Sequence, residues 1–354
     1  MPDKHIIDTA QKPRTEDSLD AEKLLSYLNH KIDSPDKNSS LEILQFPGGA
    51  SNLTYQLTLN GKEMILRTSP KGANIKGAHD MGREFHVLDK LRPYFSYCPK
   101  AIAYCEDETI LGRPFFIMEK ITGIIPRKEM PIKLSSSDNL KLCQNLIKIH
   151  ADLHNIDIYS TGLIELGKPE GYVARQISGW SSRYEKARTD DVPTAEHLMD
   201  WLDKNKPADH HTPALIHNDY KFDNVVLDPK NPTEIIAILD WEMATVGDPL
   251  MDLGCSLAYW IEKDDPAELQ MIRMMPTTDE GMMSRQQLIN YYARLRGEDL
   301  GDFRYYTVFG LFRLAVIAQQ IYQRFVLGKT HNKKFKDFGK ICSILIHRAE
   351  SYCQ

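Results

Sequence analysis

The chain has 354 residues, 42% of them apolar and 26% charged, with 44 Lys and Arg against 49 Asp and Glu. That near balance excludes the cationic excess of a nucleic-acid binder, and the apolar share is too high for a disordered chain. The length suits two domains or one two-lobed unit, no run approaches the ~18–20 apolar residues of a membrane span, and the polar start lacks a signal-peptide core.

Residues 1–40 read as an extension, polar through 17 and then opening a short amphipathic helix with Ser18 as N-cap and Glu22 near the third helical position. A strand is expected over 41–46. Residues 53–59 alternate strictly, Asn60-Gly61 is a favoured tight-turn pair, and 63–67 returns as the partner strand. A helix over about 78–91 carries Met81, Phe85 and Leu88 on one face, and strand-like runs follow around 101–104 and 115–119. Beyond 122 the apolar period becomes helical, over roughly 137–154, 172–188, 194–204, 249–261, 284–296, 303–327 and 333–350. Residues 215–240 break that pattern, with two short apolar runs flanking a polar cluster. Six cysteines without a Cys-x-x-Cys pair point to free thiols in a reducing, cytoplasmic compartment.

The polar cluster is His217-Asn218-Asp219-Tyr220-Lys221-Phe222-Asp223-Asn224, followed past a hairpin by Ile238-Leu239-Asp240-Trp241-Glu242. One carboxylate, an amide five residues on and a second carboxylate after a hairpin suit phosphoryl transfer. Asp219 is a candidate base for a substrate hydroxyl. Asn224 and Asp240 offer hard oxygen ligands for Mg²⁺ on nucleotide phosphates, and Lys221 supplies a point charge for the γ-phosphate. Pro47-Gly48-Gly49-Ala50-Ser51-Asn52 links the first two strands; its glycines let backbone approach phosphate oxygens, and Ser51 adds a hydroxyl. Glu84 falls on the Met81/Leu88 face of its helix, and an inward carboxylate needs a partner.

The His-x-Asp-x-Lys-x-x-Asn run resembles the catalytic loop of the protein-kinase-like superfamily. With Asp240-Trp241-Glu242 and Gly247-Asp248-Pro249-Leu250-Met251-Asp252-Leu253-Gly254 it is similar to the aminoglycoside-phosphotransferase family. Gly48-Gly49-Ala50-Ser51-Asn52-Leu53-Thr54-Tyr55, Leu66-Arg67-Thr68-Ser69-Pro70, Arg83-Glu84-Phe85 and Gly171-Tyr172-Val173-Ala174-Arg175-Gln176 resemble the kinase-like domains fused to some acyl-CoA dehydrogenases. The resemblance implies an α+β, bilobal protein-kinase-like fold: a five-stranded, nucleotide-binding N-lobe over 41–122, a hinge near 119–123 and a mainly helical C-lobe over 123–354. It further implies ATP or GTP with Mg²⁺ in the interlobe cleft. The phosphates would lie under Gly48, Gly49 and Ser51, with adenine against the backbone of Glu119 to Ile121. Arg67 stands where the superfamily usually has lysine, which makes an Arg67–Glu84 pair the counterpart of its Lys–Glu pair. His217 is expected to support the loop, and Asp252 to hydrogen-bond backbone near it. Asn218 replaces the glycine usual in the family.

The expected activity is transfer of a γ-phosphate to a hydroxyl of a small molecule, with neither nucleic acid nor membrane as partner. Aminoglycosides, sugars, amino alcohols and hydroxyacyl-CoA thioesters are the acceptor classes. Residues 168–188 hold five basic and two acidic side chains, with Arg175, Arg183, Lys186 and Arg188 interleaved among Tyr172, Trp180 and Tyr184. They form either a solvated helix face or a shelf for an anionic acceptor such as a hydroxyacyl-CoA. Two rival readings stay open here: a catalytically silent, nucleotide-binding pseudokinase, and a zinc hydrolase built on His150, His154 and His217.

Overall fold

Strict alternation along 53–59 forces one buried face, and the computed structural model turns it into the second strand of an antiparallel sheet. The structure describes residues 6–31, 40–47, 52–70, 80–207, 212–330 and 332–353. Gly48, Gly49 and Ser51 of the glycine run, and His210-His211, lie outside them. In chain order the strands are β1 (Leu41–Gln45), β2 (Leu53–Leu59), β3 (Lys62–Thr68), β4 (Ala101–Cys105), β5 (Phe115–Glu119), β6 (Ala214–Ile216), β7 (Val225–Leu227), β8 (Ile235–Ile238) and β9 (Thr245–Gly247). The helices are α1 (Ala21–Lys31), α2 (Met81–Leu91), α3 (Glu108–Leu111), α4 (Ser136–His154), α5 (Tyr172–Ala187), α6 (Glu196–Lys204), α7 (Pro249–Leu257), α8 (Ala267–Met271), α9 (Arg285–Arg296), α10 (Arg304–Val326) and α11 (Phe338–Glu350).

The chain divides into two units, Met1–Ile125 with Asn224–Ala244, and Pro126–Asp223 with Thr245–Gln354. In the first, five strands run in the order β1-β2-β3-β5-β4. Asn60 and Gly61 turn β2 into β3 with both residues at positive φ, 51° and 80°, which matches the twist of a two-residue hairpin. Tyr55, Leu57, Met64, Leu66, Phe115 and Ile117 make one face of the sheet and pack with Leu24 and Leu28 of α1. That helix begins at Ala21 rather than from a cap at Ser18. Asp20 Oδ1 accepts the Lys23 N–H at 3.1 Å, whereas the Ser18 hydroxyl turns back to the Thr15 carbonyl. Residues 224–244 join this unit through β7 and β8. Leu227 exchanges backbone hydrogen bonds with Ile124 at 2.8 and 3.0 Å, and Ile238 N–H reaches the Tyr97 carbonyl at 2.7 Å. A Cβ at Gly123 would fall on the Leu227 carbonyl, so only glycine lets the two chains pass.

The second unit is helical apart from the β6–β9 pair. α7 is buried along its whole length, and α10 buries Phe309, Leu311, Phe312, Ala315 and Val316. The two meet glycine to glycine: a Cβ at Gly310 would land on the Gly254 carbonyl, and one at Gly254 on the Tyr306 carbonyl. α7 stops short of the expected 261, because Tyr259 and Trp260 N–H tighten into turns onto Ser256 and Leu257 at 3.3 and 2.9 Å. Lys333–Asp337 is a 3₁₀ turn capped by Asn332, so α11 begins later than expected. All six cysteines are free. Among the described residues no helix is long and apolar enough to cross a membrane.

Candidate active site

Alternation along β3 sends Met64 and Leu66 to the α1 face and Arg67 to the other, opposite Phe116 in register. Phe116 lies 6.5 Å from Phe85 of α2, and one residue back along that helix is Glu84. Glu84 is fully buried, Arg67 is only 8% exposed, and the two form an ion pair as the sequence led us to expect. The guanidinium reaches further. Its Nη2 lies 3.0 Å from Asp240 Oδ1 and 3.6 Å from Glu242 Oε2. Asn52 Nδ2 donates to Glu242 Oε2 at 2.6 Å. Burial pushes the Glu84 carboxyl up to about 7, against the pull of Arg67. Among the described residues Arg67 thus meets three carboxyl groups.

Asp240 sits at φ 67°, in the left-handed region that aspartate tolerates better than most residues, and keeps about a third of its side chain exposed, 34%. The Leu239 N–H donates to the Asn224 carbonyl at 2.7 Å and so ties the two candidate ligands together. A carboxylate and a carboxamide are the hard oxygen donors that Mg²⁺ prefers, so this donor set fits that ion. Glu119 ends β5. Its N–H donates to the Lys100 carbonyl at 2.9 Å and its carboxylate accepts from the Lys100 N–H, while Ile121 follows half-buried.

In the second unit the loop between β6 and Asn224 is held from several sides. Asp252 of α7, fully buried, accepts the backbone N–H groups of His217 at 2.8 Å and Asn218 at 2.7 Å, as expected from sequence. Two imidazoles converge on the same carboxylate, His150 Nε2 at 3.0 Å and His154 Nε2 at 3.1 Å. Both therefore donate from Nε2, which leaves His154 Nδ1 to accept from the Tyr292 hydroxyl at 2.7 Å. The cluster is thus His150, His154 and Asp252 among the described residues, and His217 donates its backbone N–H to the same carboxylate. His217 Nδ1 lies 3.2 Å from the Asp219 N–H and accepts from it, so that ring supports the loop. Asp219 forms an ion pair with Lys221, whose ammonium lies 4.8 Å from the centre of the Tyr259 ring. Burial opposes the charge on Lys221, but Tyr259 and Asp219 carry its pKa above the ordinary lysine value. Asp223 is pushed up by burial, and one of its carboxylate oxygens is buried without a hydrogen-bond partner.

On α5, the Arg175 guanidinium turns back onto the carbonyls of Glu170 and Lys168. Arg183 stacks on Trp180 at 4.7 Å, and Trp180 and Tyr184 are buried as packing residues. Glu242, Asn52, Tyr259 and Arg313 had no role assigned from sequence. For Arg313 a signal existed, a lone charge inside the apolar run Phe309-Gly310-Leu311-Phe312-Arg313-Leu314-Ala315.

The buried histidine carries a pH prediction. Burial and the neighbouring His150 hold His154 down to about 3 from the ordinary histidine value of 6.5. The unfolded chain takes up that proton near 6.5 and the folded chain does not. The stabilisation is therefore complete above about 6.5 and is lost as pH falls towards about 3, at up to ~1.4 kcal/mol per pH unit. Denaturant unfolding of His154→Gln should fall off less steeply than wild type between pH 6.5 and 4. Parallel curves would show that His154 titrates normally.

A five-stranded antiparallel sheet with a buried arginine–glutamate pair, and a helical unit carrying an anchored Asp-x-Lys-x-x-Asn loop, define a kinase-like phosphotransferase fold. The model of the phosphotransferase enzyme family, APH, matches residues 42–283, and the chain belongs to that family. Acyl-CoA dehydrogenase family member 11 of Pongo abelii is 33% identical over 330 residues, 91% of this chain and 42% of the relative. The chain thus spans about two fifths of the length of that relative. Among solved structures, a candidate aminoglycoside phosphotransferase of Ralstonia eutropha shares 28% identity with a TM-score of 0.79, covering 95% of this chain and 98% of that one. An aminoglycoside phosphotransferase in ternary complex with AMP-PNP and hygromycin B shares the fold, at 16% identity and a TM-score of 0.59, covering 94% and 99% of the two chains.

Proposed function

We propose that the chain transfers the γ-phosphate of ATP or GTP, with Mg²⁺, to a hydroxyl of a small molecule. The observation that carries this is the anchored loop, in which Asp219 is paired with Lys221 and the two peptides before it are fixed by Asp252. In this reading Asp219 takes the proton of the acceptor hydroxyl and Lys221 offsets charge on the transferring group. Asn224 and Asp240 would hold the metal, which supplies charge neutralisation at the phosphates when bound. Arg67, kept in place by Glu84, orients Asp240 and adds cationic charge for the phosphates. Gly48, Gly49 and Ser51 serve the phosphates, and the backbone of Glu119 and Ile121 serves the base. His217 keeps Asp219 in register through its amide.

For the acceptor, the reading is an anionic molecule, specifically a hydroxyacyl-CoA. Arg183, Lys186 and Arg188 are exposed on or beside α5, and a polycationic aminoglycoside would favour acidic side chains there instead. The similarity to acyl-CoA dehydrogenase family members supports the same class. The test is labelled ATP and GTP presented with hydroxyacyl-CoA thioesters, sugars, amino alcohols and kanamycin. A hydroxyacyl-CoA should exceed kanamycin by orders of magnitude in kcat/KM, with affinity falling as salt rises. Efficient phosphorylation of kanamycin with no activity on any thioester overturns the acceptor assignment, and absence of turnover on every acceptor favours the pseudokinase.

A further inference from the structure

We infer that Arg313, on α10, is a positioning residue for Asp219 and acts through the left-handed peptide of Asn218. The inference rests on the proposed role of Asp219 as base. Asn218 has φ 64°, a conformation that glycine adopts freely and that asparagine tolerates better than most L residues but still at some cost. Three polar groups of this residue are engaged. Its N–H donates to Asp252 Oδ1 at 2.7 Å, its carbonyl accepts from Arg313 Nη2 at 2.7 Å, and its side-chain Oδ1 accepts from the Tyr172 hydroxyl at 3.3 Å. These three contacts fix both peptide planes that lead into Asp219, and so fix the direction in which the Asp219 side chain leaves the backbone.

Arg313 is an unexpected donor for such a task. It is 3% exposed, on a helix whose neighbouring side chains Phe309, Phe312 and Val316 are apolar and buried, and a neutral donor would satisfy a carbonyl without burying a charge. Burying a guanidinium is unfavourable unless its surroundings favour the cation. Here they do: its carbon lies 5.2 Å from the Trp180 ring centre, and the Asp219 carboxylate acts on it in the favourable sense. A charge kept at this point strengthens the bond to the Asn218 carbonyl beyond what a neutral group provides. Helix packing alone would place an apolar residue at 313, as it does at 312, 315 and 316.

The test uses the full chain and MgATP, with water as the phosphate acceptor, so that no acceptor need be identified. Arg313→Met keeps the length of the side chain and removes its donors. The expected result is a fall in kcat of about 10-fold or more with the KM for MgATP within about two-fold of wild type. In the same variant the amide of Asp219 should exchange with solvent faster, relative to the Ile147 amide of α4. Adding Asn218→Gly, which relieves the strain at positive φ, should restore part of the lost kcat. Unchanged kcat, a loss confined to KM, or no recovery in the double variant overturns the inference. If the methionine variant does not fold, Arg313→Lys is read in its place: a several-fold fall in kcat alone supports the assignment, and full wild-type kcat overturns it. Should wild type not hydrolyse ATP, the acceptor screen still decides the proposed function, and the exchange rate of the Asp219 amide decides the role of Arg313.

Discussion

Asp219→Asn should lower kcat by about 10²–10⁴-fold while leaving nucleotide affinity near wild type. Asparagine preserves the shape of the side chain and can still receive the Lys221 ammonium, so the loop anchored by Asp252 and His217 should keep its conformation. What disappears is a group able to take up a proton at neutral pH. Steady-state kinetics on the acceptor found by the screen, with nucleotide binding by calorimetry, separates the two quantities. Phosphorylation at near wild-type rate would make Asp219 a structural residue and remove the base from the reaction.

The second large effect concerns Asp240. Substitution by alanine removes one candidate metal ligand and also leaves the second arm of Arg67 to Glu242 alone, so Mg²⁺-dependent nucleotide affinity should fall by about 100-fold or more. Because Asp240 has a positive φ, alanine adds backbone strain of its own. Asp240→Asn is the cleaner partner variant, since asparagine tolerates that conformation and loses only the charge. Calorimetric titration with ATP, with and without Mg²⁺, reads both. An unchanged metal-dependent affinity in the two variants removes Asp240 from the metal site.

The sheet was legible because its information is local. Alternation along 53–59, the Asn60-Gly61 turn and the return over 63–67 specify two strands without reference to the rest of the chain. Glu84 was legible for a related reason: a carboxylate on the apolar stripe of a helix demands a buried partner, and the neighbouring strand supplied Arg67. Other features depend on contacts that no local pattern encodes. Glu242 follows a recognised Asp-Trp pair, yet its hydrogen bond to Asn52 spans 190 positions. His150 and His154 show a metal-like i, i+4 spacing, and only the fold reveals that Asp252 lies against them. Helix ends were the least legible, since Ser18 and Asp20 are equally good caps by residue type and side-chain hydrogen bonds decide between them.

The contact between Gly254 and Gly310 couples two parts of the molecule that have no obvious reason to vary together. Asp252 lies two residues before the first glycine and Arg313 three residues after the second, and these side chains hold the amide and the carbonyl of Asn218. The spacing of the two helices is thus also the gauge that sets the Asn218 peptide. Drift in the packing of the helical unit is constrained by chemistry carried elsewhere, on a loop that neither glycine touches. α5 is not separate from the α7–α10 pair, because Gln323 of α10 donates to the Lys186 carbonyl at 2.8 Å and Arg183 and Arg313 both lie over the Trp180 ring. Substitution along α5 therefore acts on the same helix that holds the Asn218 carbonyl.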